Sequence, residues 1–393
     1  MSRPIAVLAV CGTRPDAIKM APVVRVLREH PAFAVRLIAT GQHREMLDQV
    51  LHLFDLTPDV DLNIMTPHQT LTEITLRTLE GLDRVLRETP AEVVLAQGDT
   101  TTTFVAALAA FYHKIPFGHV EAGLRTYDKY QPFPEEMNRR LTAPIAEFHF
   151  APTETARQNL TREGVPDDRI WVTGNTGIDA VQWVATQPLK CVDPALQRVL
   201  THTGRVLLLT THRRENWGEP MTAIARAARE LLEQFDDLLL LAPMHRNPIV
   251  RQSLLPILGD HPRAVLTEPL DYAPFVHAMR RADVILTDSG GVQEEAPAFG
   301  KPILVLRETT ERPEGVEVGA ARLVGTDPAR IVQETACLLT DPDAYAQMTR
   351  TVNPSGDGRA AERIREILLQ ELRPEMHTQD RDDDVWRRGV SRS

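Results

Sequence analysis

Residues 5–19, which read IAVLAVCGTRPDAIK, carry the clearest indication of the fold. The run begins with apolar residues and no polar alternation, which is typical of a strand buried on both faces of a parallel sheet. Gly12 then permits a tight turn, and Thr13 or Asp16 can cap the helix that follows. Strand, turn and helix in this order predict one unit of a doubly wound α/β fold.

The same alternation repeats along the chain. Amphipathic windows at 16–29, 101–112, 221–235 and 290–299 predict helices between short apolar runs. The predicted strands are 5–11, 34–39, 92–96, 117–120, 149–151, 205–210, 238–242, 264–266, 284–287, 303–306 and 322–324. The fold class is therefore α/β, with about five or six strands in each half, the size of a Rossmann-like domain.

The alternation weakens around residues 174–204, which we interpret as the link between two domains. The sequence then continues as strands and helices until an amphipathic helix near the C-terminus, followed by a polar, charged tail. The predicted organisation is an N-terminal Rossmann-like domain over 1–175, a connection over 176–204, a C-terminal Rossmann-like domain over 205–355, a helix over 356–372 that returns to the N-terminal domain, and a flexible tail over 373–393.

Composition excludes several classes of protein. The 393 residues suffice for two domains, and a net charge of −10 argues against nucleic-acid binding. Cys11, Cys191 and Cys337 form no CxxC pair and fit a reducing compartment. No apolar run approaches the ~18 residues that span a bilayer. We therefore predict a cytoplasmic protein with neither nucleic acid nor membrane as a partner.

Charged side chains follow the predicted strands of the first half, at the sheet edge where α/β proteins bind ligands. Arg14 and Lys19 stand near a helix N-terminus and favour a phosphate, although a solvated turn would also accommodate them. Asp99 and Glu121 each end a strand, and Glu135 opens a helix. Asp99 could be only a helix N-cap and Glu135 only a dipole partner. Together the three acids predict a carboxylate cluster suited to moving protons.

A His-Arg theme follows two strands of the second half. His212 is flanked by Arg213 directly after the strand 205–210. A histidine in that position can stabilise an anionic leaving group or shuttle a proton. His245 repeats the theme after the next strand, and a structural role would explain it equally well.

A Ser-Gly-Gly turn follows a third strand of the second half. Ser289, Gly290 and Gly291 can expose backbone N–H groups to a phosphate, and Glu295 lies one turn later, where it could accept from ribose hydroxyls. Arg312 adds a cation after a further strand. The chain has no GxGxxG, Walker A or GxSxG motif and no histidine pair with zinc spacing. We therefore predict neither a cofactor nor a metal.

Seven motifs occur in order, and together they resemble the non-hydrolysing bacterial UDP-N-acetylglucosamine 2-epimerases. They are GTRP at 12–15, QGDT at 97–100, HVEAGLR at 119–125, PEE at 134–136, HRREN at 212–216, DSGGVQEE at 288–295 and TTERPE at 309–314. The resemblance extends from about residue 5 to about residue 371. It implies a GT-B arrangement of the two domains with the site in the cleft, a UDP-sugar substrate, a cytoplasmic homodimer, and supply of ManNAc units for envelope polysaccharide.

The resemblance also implies roles for individual residues. The implied catalytic set is Asp99, Glu121, Glu135 and His212. The implied substrate-binding residues are Arg14, Lys19, Asp99, Glu121, His212, Leu270, Phe275, Ser289, Gly290, Gly291, Glu295 and Arg312. In this set the Ser-Gly-Gly turn would hold the diphosphate, Glu295 the ribose, and Phe275 would lie by the uracil.

The resemblance also implies a second UDP-GlcNAc site, beside the first, at which binding activates the bacterial members of the family. The matching positions here are Gln42, Glu135, Arg213 and His245. Two positions depart from the commoner pattern, because Glu45 replaces a usual Gln and His68 replaces a usual Arg. A carboxylate and a neutral imidazole should weaken diphosphate binding, so we predict impaired activation.

The implied reaction inverts C2 of UDP-N-acetylglucosamine by eliminating UDP and adding it back to 2-acetamidoglucal. The sequence leaves open which carboxylate is the base and which is the acid. It also leaves three other functions open, namely a hydrolysing epimerase, a GT-B glycosyltransferase and a nucleotide-sugar-binding regulator without turnover.

Overall fold

The computed structural model describes residues 3–41, 44–66, 68–189 and 193–374. The chain divides into two compact units: one runs to Ala180 and resumes at Gly358, and the other spans Val181–Asp357. Each unit is a parallel sheet with helices between its strands. The predicted fold class of two Rossmann-like, doubly wound α/β domains is therefore confirmed.

The first unit contains a seven-stranded sheet. Its elements are β1 (Ile5–Cys11), α1 (Arg14–Arg28), β2 (Phe33–Ala39), α2 (Arg44–Leu53), β3 (Val60–Asp61), α3 (Leu71–Glu88), β4 (Val93–Gln97), α4 (Thr101–Tyr112), β5 (Phe117–Val120), α5 (Glu135–Thr142), β6 (Phe148–Ala151), α6 (Glu154–Arg162), β7 (Ile170–Val172) and the start of α7 (Thr176–Thr186). The strand order is β3-β2-β1-β4-β5-β6-β7, and all pairs are parallel.

The second unit contains a six-stranded sheet. Its elements are α8 (Pro194–Leu200), β8 (Val206–Thr210), α9 (Glu219–Gln234), β9 (Leu239–Pro243), α10 (Pro248–Leu258), β10 (Ala264–Thr267), α11 (Tyr272–Arg281), β11 (Val284–Thr287), α12 (Gly290–Glu295), β12 (Ile303–Val305), α13 (Pro313–Glu317), β13 (Ala321–Leu323), α14 (Pro328–Thr340) and α15 (Pro342–Thr349). The order is β10-β9-β8-β11-β12-β13, again all parallel.

The sequence analysis missed two strands and extended one helix too far. The strands β3 and β7 are short edge strands with exposed residues, so they lack the continuous apolar run of a central strand. The first unit therefore has seven strands instead of five or six. The predicted helix 290–299 ends at Glu295 and continues only as a 3₁₀ turn, because Pro297 has no N–H to donate.

The boundary between the units lies inside α7, and α8, which falls in the predicted connection, packs against β10 and α11. The last helix, α16 (Ala360–Leu372), packs against α1 in the first unit. The carboxylate of Asp179 accepts hydrogen bonds from the N–H groups of Ala360, at 3.2 Å, and Ala361, at 2.8 Å, and so caps α16. Of the predicted tail, residues 375–393 lie outside the described residues.

The strand orders place the functional loops. In each sheet the order reverses direction once, between β1 and β4 in the first unit and between β8 and β11 in the second. Loops that leave the carboxyl ends of such strands diverge and open a crevice where ligands bind. Within the described ranges, no helix is long and apolar enough to cross a membrane.

Candidate active site

The turn between β1 and α1 is organised by the buried carboxylate of Asp16. Thr13 caps the helix, and Asp16 Oδ2 accepts from Gly12 N at 3.3 Å, Thr13 N at 3.1 Å and Thr100 Oγ1 at 3.2 Å. Burial raises the pKa of Asp16 to about 6, against the lowering effect of these hydrogen bonds. The turn holds half-buried Arg14 at the first position of α1, where an anion would meet both its guanidinium and the helix N-terminus.

Glu121 is buried directly after β5, and side chains from distant parts of the chain contact its carboxylate. Lys19 forms an ion pair with Oε1, the amide of Gln97 donates to Oε2, and Asn175 Nδ2 lies 3.4 Å from Oε1. The backbone of Glu121 has φ +66°, a left-handed conformation that is costly for a residue with a Cβ. A buried acid with a strained backbone and a lysine therefore lie together at the carboxyl end of β5.

Asp99 follows β4 and is not the helix cap that one interpretation of the sequence made it. Thr100 caps α4 by accepting from Thr103 N at 3.3 Å. The Asp99 side chain instead accepts a hydrogen bond from Arg139 Nη1 at 2.6 Å, and its carbonyl oxygen accepts from Asn138 Nδ2 at 2.9 Å. The side chain of Asp99 is 31% exposed, which leaves room for a reactant.

Two observations relate the other acids to this turn. A Cβ built on Gly98 would lie 3.8 Å from Glu121 Oε2, so Glu121 approaches the turn that carries Asp99. Glu135 is the first residue of α5, and its Oε2 is buried with no hydrogen-bond partner among the described residues. A buried carboxylate oxygen without a partner costs free energy, which is typical of a functional rather than a merely dipole-pairing residue.

In the second unit, a buried carboxylate organises the loop after β8. Asp288, fully buried after β11, accepts from Thr211 Oγ1 at 2.8 Å, Arg213 N at 3.0 Å and Asn216 Nδ2 at 3.0 Å. It also accepts from the main-chain N–H of His212 and lies 3.3 Å from that residue's Nδ1. One aspartate therefore joins the two loops at the switch point of the sheet.

His212 and His245 lie together. Their rings stack with centroids 5.9 Å apart and planes inclined at 20°. Burial lowers the pKa of His212, and the charges of Arg213 and His245 add to this, although Asp288 opposes them. At neutral pH this favours a neutral imidazole that can take up a proton beside a carboxylate.

The Ser-Gly-Gly turn opens α12 and faces a charged pair. A Cβ built on Gly290 would come within 3.3 Å of Glu311 Oε1, whereas Gly291 is exposed with no such obstruction. Arg213 Nη2 lies 2.5 Å from Glu311 Oε1. Burial raises the pKa of Glu311, but hydrogen bonds and charges of neighbouring arginines outweigh it and hold the value at about 2.

The remaining predicted ligand-binding residues are Arg312, Glu295, Leu270 and Phe275. Arg312 pairs with Glu294 at the end of the loop after β12. Tyr272 donates to Glu295 Oε1 at 3.3 Å, a position where a ribose hydroxyl could compete. Leu270 lies half-buried before α11, and Phe275 lies half-buried within it.

The residues of the predicted second site are only partly described. Gln42 lies outside the described residues, as does the side chain of Glu45. His68 is exposed in a turn with φ +59°, and His245 is exposed, with its Nδ1 3.1 Å from Asn247 N. None of these contacts tests the allosteric prediction, which stays a prediction.

Four residues of the site escaped the sequence analysis: Gln97, Arg139, Asn175 and Asp288. Gln97 and Asp288 both stand at strand ends, inside the motifs QGDT and DSGGVQEE. Their position could therefore have marked them as site residues. Asn175 follows β7, a strand that the sequence pattern does not reveal, and lies where the alternation of strands and helices weakens. Arg139 carries no local signal, because only the tertiary fold brings it to Asp99. Within the described ranges, no group of three or more His, Cys, Asp or Glu residues could hold a metal ion.

Two Rossmann-like units with charged groups at their switch points define a two-domain α/β protein of the nucleotide-binding class. Similarity to known proteins identifies the family within this class. Residues 25–369 match the model of the protein family described as UDP-N-acetylglucosamine 2-epimerase. The chain belongs to this family, which confirms the resemblance inferred from the seven motifs.

Individual relatives support the assignment over nearly the whole chain. The chain is 53% identical to UDP-N-acetylglucosamine 2-epimerase of Escherichia coli K12 over 367 residues, covering 92% of this chain and 98% of the relative. It is 51% identical to the Bacillus subtilis enzyme of that name, covering 93% and 95%. The structure of the Neisseria meningitidis UDP-GlcNAc 2-epimerase bound to UDP-GlcNAc matches with a TM-score of 0.86 at 45% identity, covering 93% of this chain and all of that one.

Proposed function

We propose that this protein interconverts UDP-N-acetylglucosamine and UDP-N-acetylmannosamine by inverting C2 without hydrolysing either sugar nucleotide. The observation that carries the proposal is the arrangement of Glu121, paired with Lys19 beside the Asp99 turn, in a chain of this family. Proton transfer at a carbon atom needs positioned carboxylates, and a diphosphate leaving group needs cations. The first unit offers both.

The proposed chemistry is an elimination followed by an addition. A base removes the C2 proton while the C1–O bond breaks, and the bonding electron pair leaves with UDP. The product of this step is 2-acetamidoglucal, in which C1 and C2 share a double bond. UDP then adds back to C1 while an acid delivers a proton to the opposite face of C2. The reaction therefore needs one proton-transfer group on each face of the sugar, for which Asp99, Glu121 and Glu135 are the candidates.

The departing diphosphate carries additional negative charge, so cations and N–H groups should surround it. We assign this task to Arg14 and Lys19 of the first unit and to Arg312 and the Ser-Gly-Gly turn of the second. His212 can contribute as well, by taking up or donating a proton beside the carboxylate of Asp288, which lies 3.3 Å from its Nδ1.

The proposal is tested by incubating the protein with UDP-GlcNAc alone in D2O and analysing the products by NMR. We expect UDP-ManNAc that carries deuterium at C2. Free ManNAc with UDP would favour the hydrolysing epimerase, and no turnover would favour a transferase or a regulator without turnover. Epimerised product without deuterium at C2 would exclude the elimination.

The same proposal includes a cytoplasmic homodimer that supplies ManNAc units for envelope polysaccharide, because the resemblance implies all three. One feature of the first unit supports the dimer: α4 ends in Phe111 and Tyr112, which are 61% and 63% exposed. Two neighbouring aromatic residues on a surface are better explained by a second copy of the chain than by contact with water. Light scattering after gel filtration should give twice the mass of 44.0 kDa, and a monomer would contradict this part of the proposal.

A further inference from the structure

The carboxylate of Asp99 is held by a buried ion-pair chain outside the predicted site. We propose that Arg139, anchored by Glu136, is a positioning residue that orients Asp99 for proton transfer at the sugar. This inference rests on the proposed function, because it gives Asp99 a proton to move. It adds two residues, Glu136 and Arg139, to which neither the motifs nor the resemblance gave a role.

The guanidinium of Arg139 binds a carboxylate on each side. Its Nη1 donates to Asp99 Oδ2 at 2.6 Å, and its Nη2 and Nε donate to Glu136 Oε2 at 2.6 and 3.2 Å. The side chains of Arg139 and Glu136 are 7% and 0% exposed. Charge-assisted hydrogen bonds are strong when water is excluded, and the planar guanidinium transmits the direction of one bond to the other.

Glu136 is in turn tied to the main chain of the loop after β5. It accepts from Thr126 N and Tyr127 N, each at 3.0 Å. Burial raises the pKa of Glu136, but the hydrogen bonds from Arg139 and from these N–H groups outweigh it and lower the value. An anionic Glu136 therefore fixes the arginine against the backbone, so the arginine cannot follow Asp99 if that side chain rotates.

The backbone around Asp99 is held by other groups. His119 Nε2 lies 2.7 Å from the carbonyl oxygen of Gly98, and Asn138 holds the carbonyl oxygen of Asp99 itself. Thr100 donates to Asp16 on the far side of the turn. Removing Arg139 should therefore free the carboxylate while the turn keeps its shape.

The arginine also differentiates the two carboxylate oxygens of Asp99. Among the described residues, the hydrogen bond to this carboxylate goes to Oδ2, which leaves Oδ1 for the reactant. Proton transfer is sensitive to misplacement of about 1 Å, so a carboxylate free to rotate would react more slowly even though substrate binding is unchanged.

The test compares Arg139→Met with Arg140→Met, which removes the neighbouring exposed arginine. UDP-GlcNAc affinity is measured by calorimetry, and C2 proton exchange in D2O by NMR. We expect Arg139→Met to lower kcat for exchange by about 10- to 100-fold with KM and affinity changed less than about threefold, and Arg140→Met to change neither. Arg139→Lys should recover part of the rate, because an ammonium can still donate to Oδ2.

A double-variant cycle separates positioning from a general structural role. If Arg139 acts through Asp99, Arg139→Met causes little further loss in an Asp99→Asn background, whereas independent effects multiply. Multiplying losses, or equal losses in affinity and rate, would overturn the inference. Should Arg139→Met fail to fold because Glu136 is left unpaired, the pair Glu136→Gln with Arg139→Met removes the buried charge and serves in the same cycle.

A measurement without turnover keeps the inference distinct from the proposed function. The ¹³Cγ resonance of Asp99 is assigned through its loss in Asp99→Asn and followed at pH 7.5. It should shift in Arg139→Met and stay in place in Arg140→Met. An unmoved resonance in Arg139→Met would refute the ion pair, whereas an unmodified protein that leaves UDP-GlcNAc unchanged would refute only the proposed function.

Discussion

Asp16→Asn should stabilise the first unit above pH 6 and leave it unchanged below pH 4. Asp16 is 3% exposed, and hydrogen bonds from Gly12 N, Thr13 N and Thr100 Oγ1 go to its Oδ2. The side chain of Thr13 is a further hydrogen-bond partner of the carboxylate. The side-chain oxygen of asparagine can occupy the position of Oδ2 and accept all three. The substitution therefore removes a buried charge and keeps the bonds that organise the turn.

The sign and size of the expected stability change follow from the pKa of Asp16, which burial raises from 3.8 to about 6. An unfolded chain releases this proton near pH 4, whereas the folded chain keeps it until about pH 6. Stability therefore falls as pH rises from about 4 to about 6, and the loss is complete above that range. A difference of roughly two pKa units corresponds to about 3 kcal/mol, which the asparagine avoids.

Calorimetric melting of the parent and of Asp16→Asn between pH 4 and pH 8 measures this difference. For a unit of this size, about 3 kcal/mol corresponds to roughly 6–12 °C in Tm. The difference in Tm between the two proteins should grow between pH 4 and pH 6 and stay constant at higher pH. Asp168→Asn, an exposed position in the same unit, serves as the control. A gap independent of pH, or an asparagine variant that melts lower at pH 8, would refute the reasoning.

Three further predictions concern catalysis, regulation and packing. Asp99→Asn should retain UDP-GlcNAc binding and lose at least ~100-fold in epimerisation, because the amide cannot accept a proton; near-normal kinetics would give Asp99 a structural role only. With Glu45 and His68 in place of an amide and a cation, UDP-ManNAc supplied alone should be converted back without the strict UDP-GlcNAc requirement typical of the family, or with activation only at much higher concentrations. A long lag in that assay, abolished by micromolar-scale UDP-GlcNAc, would contradict this. Gly123→Ala should lower Tm far more than Gly164→Ala: both positions have positive φ, but only at Gly123 would the new Cβ lie 2.2 Å from a main-chain oxygen, and equal losses would show that conformation alone matters.

The fold class was predictable because its signals are local. Continuous apolar runs marked the central strands of both sheets, and β1 and β11 begin and end where the sequence placed them. Edge strands escaped because they are short and partly exposed, so the sequence pattern gave no reason to single out Asn175, which follows β7. The division between the units inside α7 also escaped, because a helix that passes from one unit to the next has no boundary signal in its sequence.

Local sequence was enough to predict which side chains stand at the carboxyl ends of strands. It placed Arg14, Asp99, Glu121 and His212 there, because strand period and turn chemistry depend only on neighbouring residues. The partners of these side chains depend on the three-dimensional fold. Lys19 meets Glu121 across 102 positions of the chain, and Arg139 meets Asp99 across 40. Such pairs depend on the order of strands in the sheet, which places distant loops side by side and leaves no trace in local sequence.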